Sequence, residues 1–179
     1  MSNEELFAAT AIKTWTTVIS RLEKMVSSLS GEALQSEVAP GRNRVYYILG
    51  HLTVHHDLLL PMLGIGERLH PELDAFFISN PDRSLPDKYA GAELRQMFTE
   101  VNAKVTRGIQ AMSPADLLKR HAAVSEEDFA REPLRNRLAV FEIRTSHAMY
   151  HAGQIRLVEL VRASYGDVPF ERKTEGKAG

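Results

Sequence analysis

Four long segments of the sequence repeat apolar side chains at intervals of three and four residues. Because an α-helix completes a turn about every 3.6 residues, this spacing places the apolar side chains on one face of a helix. We predict amphipathic helices over residues 3–30, 43–62, 91–112 and 134–164. No segment alternates apolar and polar residues as a half-buried β-strand does. The chain is therefore predicted to be all-α.

Four such helices predict an antiparallel four-helix bundle, because each helix must bury one apolar stripe against the others. The second connection, residues 64–90, contains three prolines and is long enough for two neighbouring helices to run parallel instead. No linker interrupts the pattern, so we expect a single domain over residues 1–166. The charged end of the chain has nothing to bury, and residues 167–179 are expected to form a disordered tail.

The composition of the chain limits which partners it can bind and which residue types can ligate a metal. The chain has 22 basic and 23 acidic residues and a formal net charge of −1, which argues against nucleic-acid binding because that needs a basic face. No apolar run approaches the roughly 18 residues of a membrane span, and no signal peptide is apparent, so we expect a cytoplasmic protein. Cysteine is absent, which leaves histidine and carboxylates as metal ligands.

The fourth predicted helix contains two histidines, His147 and His151, separated by one helical turn. Their imidazoles point the same way, about 6 Å apart along the helix axis. Both lie on the predicted inner face, where a polar ring without a partner is costly. Two neutral imidazoles in this arrangement form half of a transition-metal site, so the pair predicts metal binding with a further ligand from elsewhere.

The second predicted helix offers three histidines as the missing ligand. His51 and His55 form a second pair with the same spacing along one edge of the apolar stripe, and His56 lies on the opposite edge. Periodicity alone does not choose among the three. Carboxylates that could orient the imidazoles are equally open, and the candidates are Asp57, Glu100 and Glu142.

Three short motifs in the sequence carry a family resemblance. They are Pro40-Gly41-Arg42-Asn43, Gly50-His51-Leu52, and the segment from His147 to Ile155 with the pattern His-x-x-x-His-x-Gly-Gln-Ile. Together they resemble the DinB-like superfamily of damage-inducible helical bundles, which includes bacillithiol- and mycothiol-dependent S-transferases. The resemblance covers about residues 5–166 and implies that His51, His147 and His151 bind a divalent metal, zinc or nickel. It also implies that His55 and His56 are not ligands.

Three imidazoles would leave positions on the metal open for a substrate or a water. A chain without cysteine can then use a low-molecular-weight thiol as cofactor, because a divalent metal lowers the pKa of a thiol that it binds. The expected function is a metal-dependent thiol S-transferase for a small electrophilic substrate, with Tyr150 and Gln154 contributing to cofactor binding. A metal-dependent hydrolase and a non-enzymatic metal-binding stress protein are the alternatives. The resemblance and the extent of apolar helix surface also predict a homodimer.

Overall fold

The computed structural model of the protein describes the backbone of residues 1–165 and the side chains of residues 1–158. This part of the chain is helical and contains no β-strand, which confirms the all-α prediction. Four helices are long: α1 (Asn3–Ser28), α3 (Val45–Asp57), α6 (Gly91–Gln110) and α9 (Arg137–Tyr165). The others are α2 (Gly31–Gln35), α4 (Leu59–Leu63), α5 (Asp74–Phe77), α7 (Pro114–Leu117) and α8 (Glu126–Arg131), with a 3-10 turn at Pro71–Leu73.

The four long helices enclose one apolar core, because α1 and α3 each pack against both α6 and α9. Hydrogen bonds between side chains and neighbouring helices give their directions. Trp15 Nε1, midway along α1, donates to Thr106 Oγ1 at 2.9 Å, near the end of α6. Arg95, near the start of α6, donates to the carbonyls of Val26 and Leu29 at the end of α1. Helices α1 and α6 therefore run in opposite directions.

Helices α3 and α6 run in the same direction. Near the start of α3, the Tyr46 hydroxyl donates to the Tyr89 carbonyl just before α6, at 3.0 Å. Near the end of α3, His56 lies 2.7 Å from the amide oxygen of Asn102, more than halfway along α6. The long second connection permits this parallel pair because it returns the chain across the length of the bundle.

Helix α1 begins at Asn3 as predicted and is capped by Ser2, because the Ser2 hydroxyl accepts from the Glu5 N–H while the Glu5 carboxylate accepts from the Ser2 N–H. The second predicted helix is divided between α3 and α4 at Leu58. Pro61 lacks the N–H that would continue the helical hydrogen bonding across this point. The boundary predicted at residue 166 and the predicted tail, residues 167–179, lie outside the described residues.

The second connection is anchored to α3 at both of its ends. Near its start, the buried Asp57 carboxylate accepts hydrogen bonds from two backbone N–H groups of the connection. Near its end, Asp82 and Asp87 form ion pairs of 2.6 and 2.8 Å with Arg44, which immediately precedes α3. These contacts hold the connection along the length of α3, the helix that carries His51.

Between these anchors, α5 packs tightly on α3 at Gly50. A Cβ atom at Gly50 would lie only 2.4 Å from the Phe77 ring, so a larger residue would push α5 away. The close approach brings the backbone of Phe77 beside His51.

Within residues 1–165, no helix is both long and apolar enough to cross a membrane.

His56 is fully buried between Trp15 and Phe98, and its Nδ1 pairs with the amide oxygen of Asn102. Burial lowers the pKa of His56 from its ordinary value of 6.5 to about 3, because the charged imidazole would lose its hydration. Below pH 6.5 the unfolded chain therefore binds a proton here that the folded chain does not. The contribution of His56 to the free energy of unfolding is therefore fully present above pH 6.5 and is lost as the pH falls from 6.5 toward 3.

The variant His56→Gln tests this contribution, since a glutamine amide can still donate to Asn102 but does not titrate. We expect the free energy of unfolding of the variant to fall less steeply between pH 6 and pH 4. The difference in slope is up to about 1.4 kcal/mol per pH unit. Urea unfolding of metal-free protein at several pH values measures it, with His70→Gln on the connection as the matched control. Equal slopes for His56→Gln and the wild type would contradict the assignment of this pH dependence to His56.

Candidate metal centre

Three histidines from two helices converge where α3 faces α9. His51 Nε2 lies 3.2 Å from His147 Nε2, and His151 Nε2 lies 3.0 Å from the same atom. All three nitrogens lie within 4.8 Å of one another, and no fourth histidine or carboxylate of the described residues joins them. His147 and His151 meet because they are one turn apart on α9, and α3 supplies His51 from the opposite side.

Hydrogen bonds at the other ring nitrogens fix the tautomers of His51 and His151. His51 Nδ1 lies 3.2 Å from the Phe77 carbonyl, and His151 Nδ1 lies 2.7 Å from the Gln154 amide oxygen. Both of these partners are acceptors, so each Nδ1 carries the proton and each Nε2 presents a lone pair. Both lone pairs face His147 Nε2, which could donate a proton to only one of them.

A divalent cation fits this arrangement of lone pairs. Metal–nitrogen distances of roughly 2.0–2.1 Å and a tetrahedral angle place ligand nitrogens about 3.3 Å apart. The observed separations of 3.0 and 3.2 Å are close to that value. The Phe77 carbonyl and the Gln154 amide also supply the outer hydrogen bonds that orient metal-binding imidazoles. The His51, His147 and His151 cluster can therefore bind a metal ion through three protein ligands.

All three imidazoles are neutral at pH 7, as metal ligands must be. Burial lowers the pKa of His147 to about 4, and repulsion from His151, His51 and Arg144 contributes. Burial also lowers the pKa of His51 and of His151, although their hydrogen bonds to Phe77 and Gln154 oppose the shift. Protons therefore compete weakly for these nitrogens at neutral pH.

The cluster opens into a cavity of about 260 Å³ between α3 and the second connection. His51 and His151 form part of its wall, and Tyr47 stacks on His51 with ring centroids 6.4 Å apart and planes inclined by 17°. Phe77 and Ile78, which belong to the second connection, supply an apolar part of the cavity wall. A small molecule can therefore reach the open side of the cluster.

The remaining predicted residues take distinct positions. His55 packs edge-on against His51 and His147 and lines the cavity but does not join the cluster, whereas His56 lies in the core. Gln154 orients His151, and its amide nitrogen donates to the exposed Tyr150 hydroxyl at 3.1 Å.

Among the described residues, no carboxylate orients the three imidazoles of the cluster. Asp57 holds the second connection, Glu100 lies beside His70, and Glu142 forms no hydrogen bond to a histidine. The sequence reasoning missed the Phe77 carbonyl in this role, because a backbone acceptor carries no residue-type signal. Gly50 was the available clue, since a glycine beside a candidate ligand marks a close approach of another segment.

Comparison with known proteins agrees with the resemblance of the sequence. Residues 14–155 match the model of the DinB superfamily, and this match includes all three histidines of the cluster. No curated protein matches the chain.

Substitution of single histidines tests which of them hold the metal. We expect His51→Ala, His147→Ala and His151→Ala each to lower metal affinity by more than about 100-fold, since loss of an outer partner alone costs 10–100-fold. His55→Ala and His56→Ala should keep full occupancy and are the matched controls. Elemental analysis of the purified variants measures the result. Full occupancy in His51→Ala together with loss in His55→Ala would show that His55 is the ligand from α3.

Proposed function

Because this chain belongs to the DinB superfamily, we propose that it is a divalent-metal-dependent S-transferase that joins a small thiol to an electrophilic substrate. The observation that carries the proposal is the convergence of three neutral Nε2 atoms beside an accessible cavity. The three histidines occupy one side of the metal position and leave the cavity side for substrates. Zinc or nickel suits an imidazole site of this kind.

When bound, the metal would supply a Lewis acid that keeps a thiol ionised near neutral pH. The chain has no cysteine, so the nucleophilic sulfur must come from a small thiol. A free thiol has a pKa of about 8.5, so complete ionisation at pH 7 increases the reactive fraction by only about 30-fold. An acidic thiol is also a weaker nucleophile. Orientation of the two reactants by the protein must therefore supply most of the acceleration.

The walls of the cavity are suited to orienting a small electrophile. Tyr47 and Phe77 present aromatic surface next to His51, and Ile48 and Ile78 extend the apolar wall. Such surface binds the carbon skeleton of a substrate while excluding water from the reacting atoms. Tyr150 accepts from Gln154 and can still donate its own hydroxyl proton, so we assign it to binding of the thiol at the rim of the site.

Conjugation rates test this function. We expect metal-loaded wild type to accelerate the reaction of glutathione or free cysteine with 1-chloro-2,4-dinitrobenzene. The acceleration over metal-free protein should exceed the roughly 30-fold that ionisation alone supplies. The variant His147→Ala should react like metal-free protein, and His70→Gln should react like the wild type. The dinitrophenyl thioether is followed by its absorbance.

Two outcomes would contradict the transferase. Equal rates for metal-free, metal-loaded and His147→Ala protein would favour a non-enzymatic metal-binding protein. Ester hydrolysis without any thiol, rising in rate as a metal-bound water ionises, would favour a hydrolase.

We also propose that the protein is a homodimer. The outer face of α9 exposes the apolar side chains of Ile143, Met149 and Leu157, which a second copy could cover. Light scattering at micromolar concentration should give twice the chain mass of 20.1 kDa. A mass of one chain throughout that range would refute the dimer.

A further inference from the structure

Arg144 lies one helical turn before His147 on the inner stripe of α9. Its Nε is buried without a hydrogen-bond partner, and within residues 1–158 no side chain forms an ion pair with it. Burial lowers the pKa of the guanidinium, which nevertheless keeps its charge at neutral pH. A partly buried charge without a counter-ion is costly, so its presence here calls for an anionic ligand.

The charge of Arg144 acts on the histidines around the cavity. Its repulsion lowers the pKa of His51, His55 and His147. The His51 ring contacts both His147 and His151, whereas His55, one turn later on α3, contacts only His147 of this pair. The two helices therefore run in opposite directions here, and Arg144, one turn before His147, lies on the His55 side of the cluster. His55 lines the cavity beside His51, and its Nδ1 is buried without a hydrogen-bond partner.

No acidic residue in the described part of the chain lines the cavity, whose wall is aromatic, apolar and histidine apart from the amide of Asn43. Asp74 is the acid that interacts electrostatically with His55. Both of its oxygens, however, accept hydrogen bonds from Arg68, at 2.5 and 2.6 Å. A metal at the three histidines would add two further positive charges close by. The combined charge strongly favours an anionic group on whatever enters the cavity.

We propose that Arg144 and His55 form an anion subsite that selects a thiol carrying a carboxylate. This inference rests on the proposed function, since it places the thiol sulfur at the three histidines. The planar guanidinium can donate two parallel N–H groups to the two carboxylate oxygens, and neutral His55 can donate one more. Sulfur and carboxylate would then fix the thiol at two points and leave its orientation defined toward the electrophile.

A pair of matched thiols tests the subsite without any turnover. The probes are 3-mercaptopropionate and 3-mercaptopropionamide, which differ only in the carboxylate, and cobalt(II) replaces the native metal so that thiol binding changes the visible spectrum. We expect the wild type to prefer the carboxylate, and we expect Arg144→Gln to reduce the ratio of the two dissociation constants about tenfold. Comparing this ratio between variants cancels the different acidities of the two thiols.

The variant Arg156→Gln removes the same charge from an exposed position on the same helix and should keep the wild-type ratio. An unchanged ratio in Arg144→Gln would overturn the subsite, as would an equal loss in Arg156→Gln. Failure of both thiols to alter the cobalt spectrum would instead contradict the proposed function. Calorimetry with propionate then decides the subsite by itself. Binding that is lost in Arg144→Gln supports it, and binding that is absent or unaffected overturns it.

Discussion

The contact between α3 and α9 depends on three imidazoles whose nitrogen atoms all need partners. His51 and His151 satisfy their Nδ1 atoms with the Phe77 carbonyl and the Gln154 amide, which forces both Nε2 lone pairs toward His147. Facing lone pairs repel unless a proton or a cation lies between them. The same contacts that bury the rings therefore prepare a cation site, and the metal would stabilise the packing of the two helices in return.

The second connection completes the site because the backbone carbonyl of Phe77 pairs with His51. Gly50 lets α5 approach α3, which brings the Phe77 carbonyl to His51 and the aromatic wall of the cavity with it. Ion pairs at Arg44 and hydrogen bonds at Asp57 hold the ends of the connection in place. The functional side of the bundle is thus shaped by a segment with little regular periodicity, whereas the long helices supply the ligands.

Sequence reasoning predicted the parts of this structure that are local and periodic. The four long helices follow from their apolar spacing, and the pairing of His147 with His151 follows from one helical turn. The choice of His51 over His55 did not follow from spacing, because both lie on the same edge of α3. It came from the resemblance of Gly50-His51-Leu52 to a family motif. The charge of Arg144, unpaired among residues 1–158, depends on which acids fold nearby, and no pattern in the sequence encodes that.

X-ray absorption spectroscopy of the zinc-loaded protein tests the central claim most directly, since it reports the ligands of the metal itself. We predict scattering from three imidazoles, with nitrogens at roughly 2.0–2.1 Å, together with a light ligand on the open side. Saturation with a thiol should replace that light ligand by a sulfur at about 2.3 Å. Four imidazoles, or a spectrum without sulfur under saturating thiol, would contradict an open three-histidine site that binds a thiol.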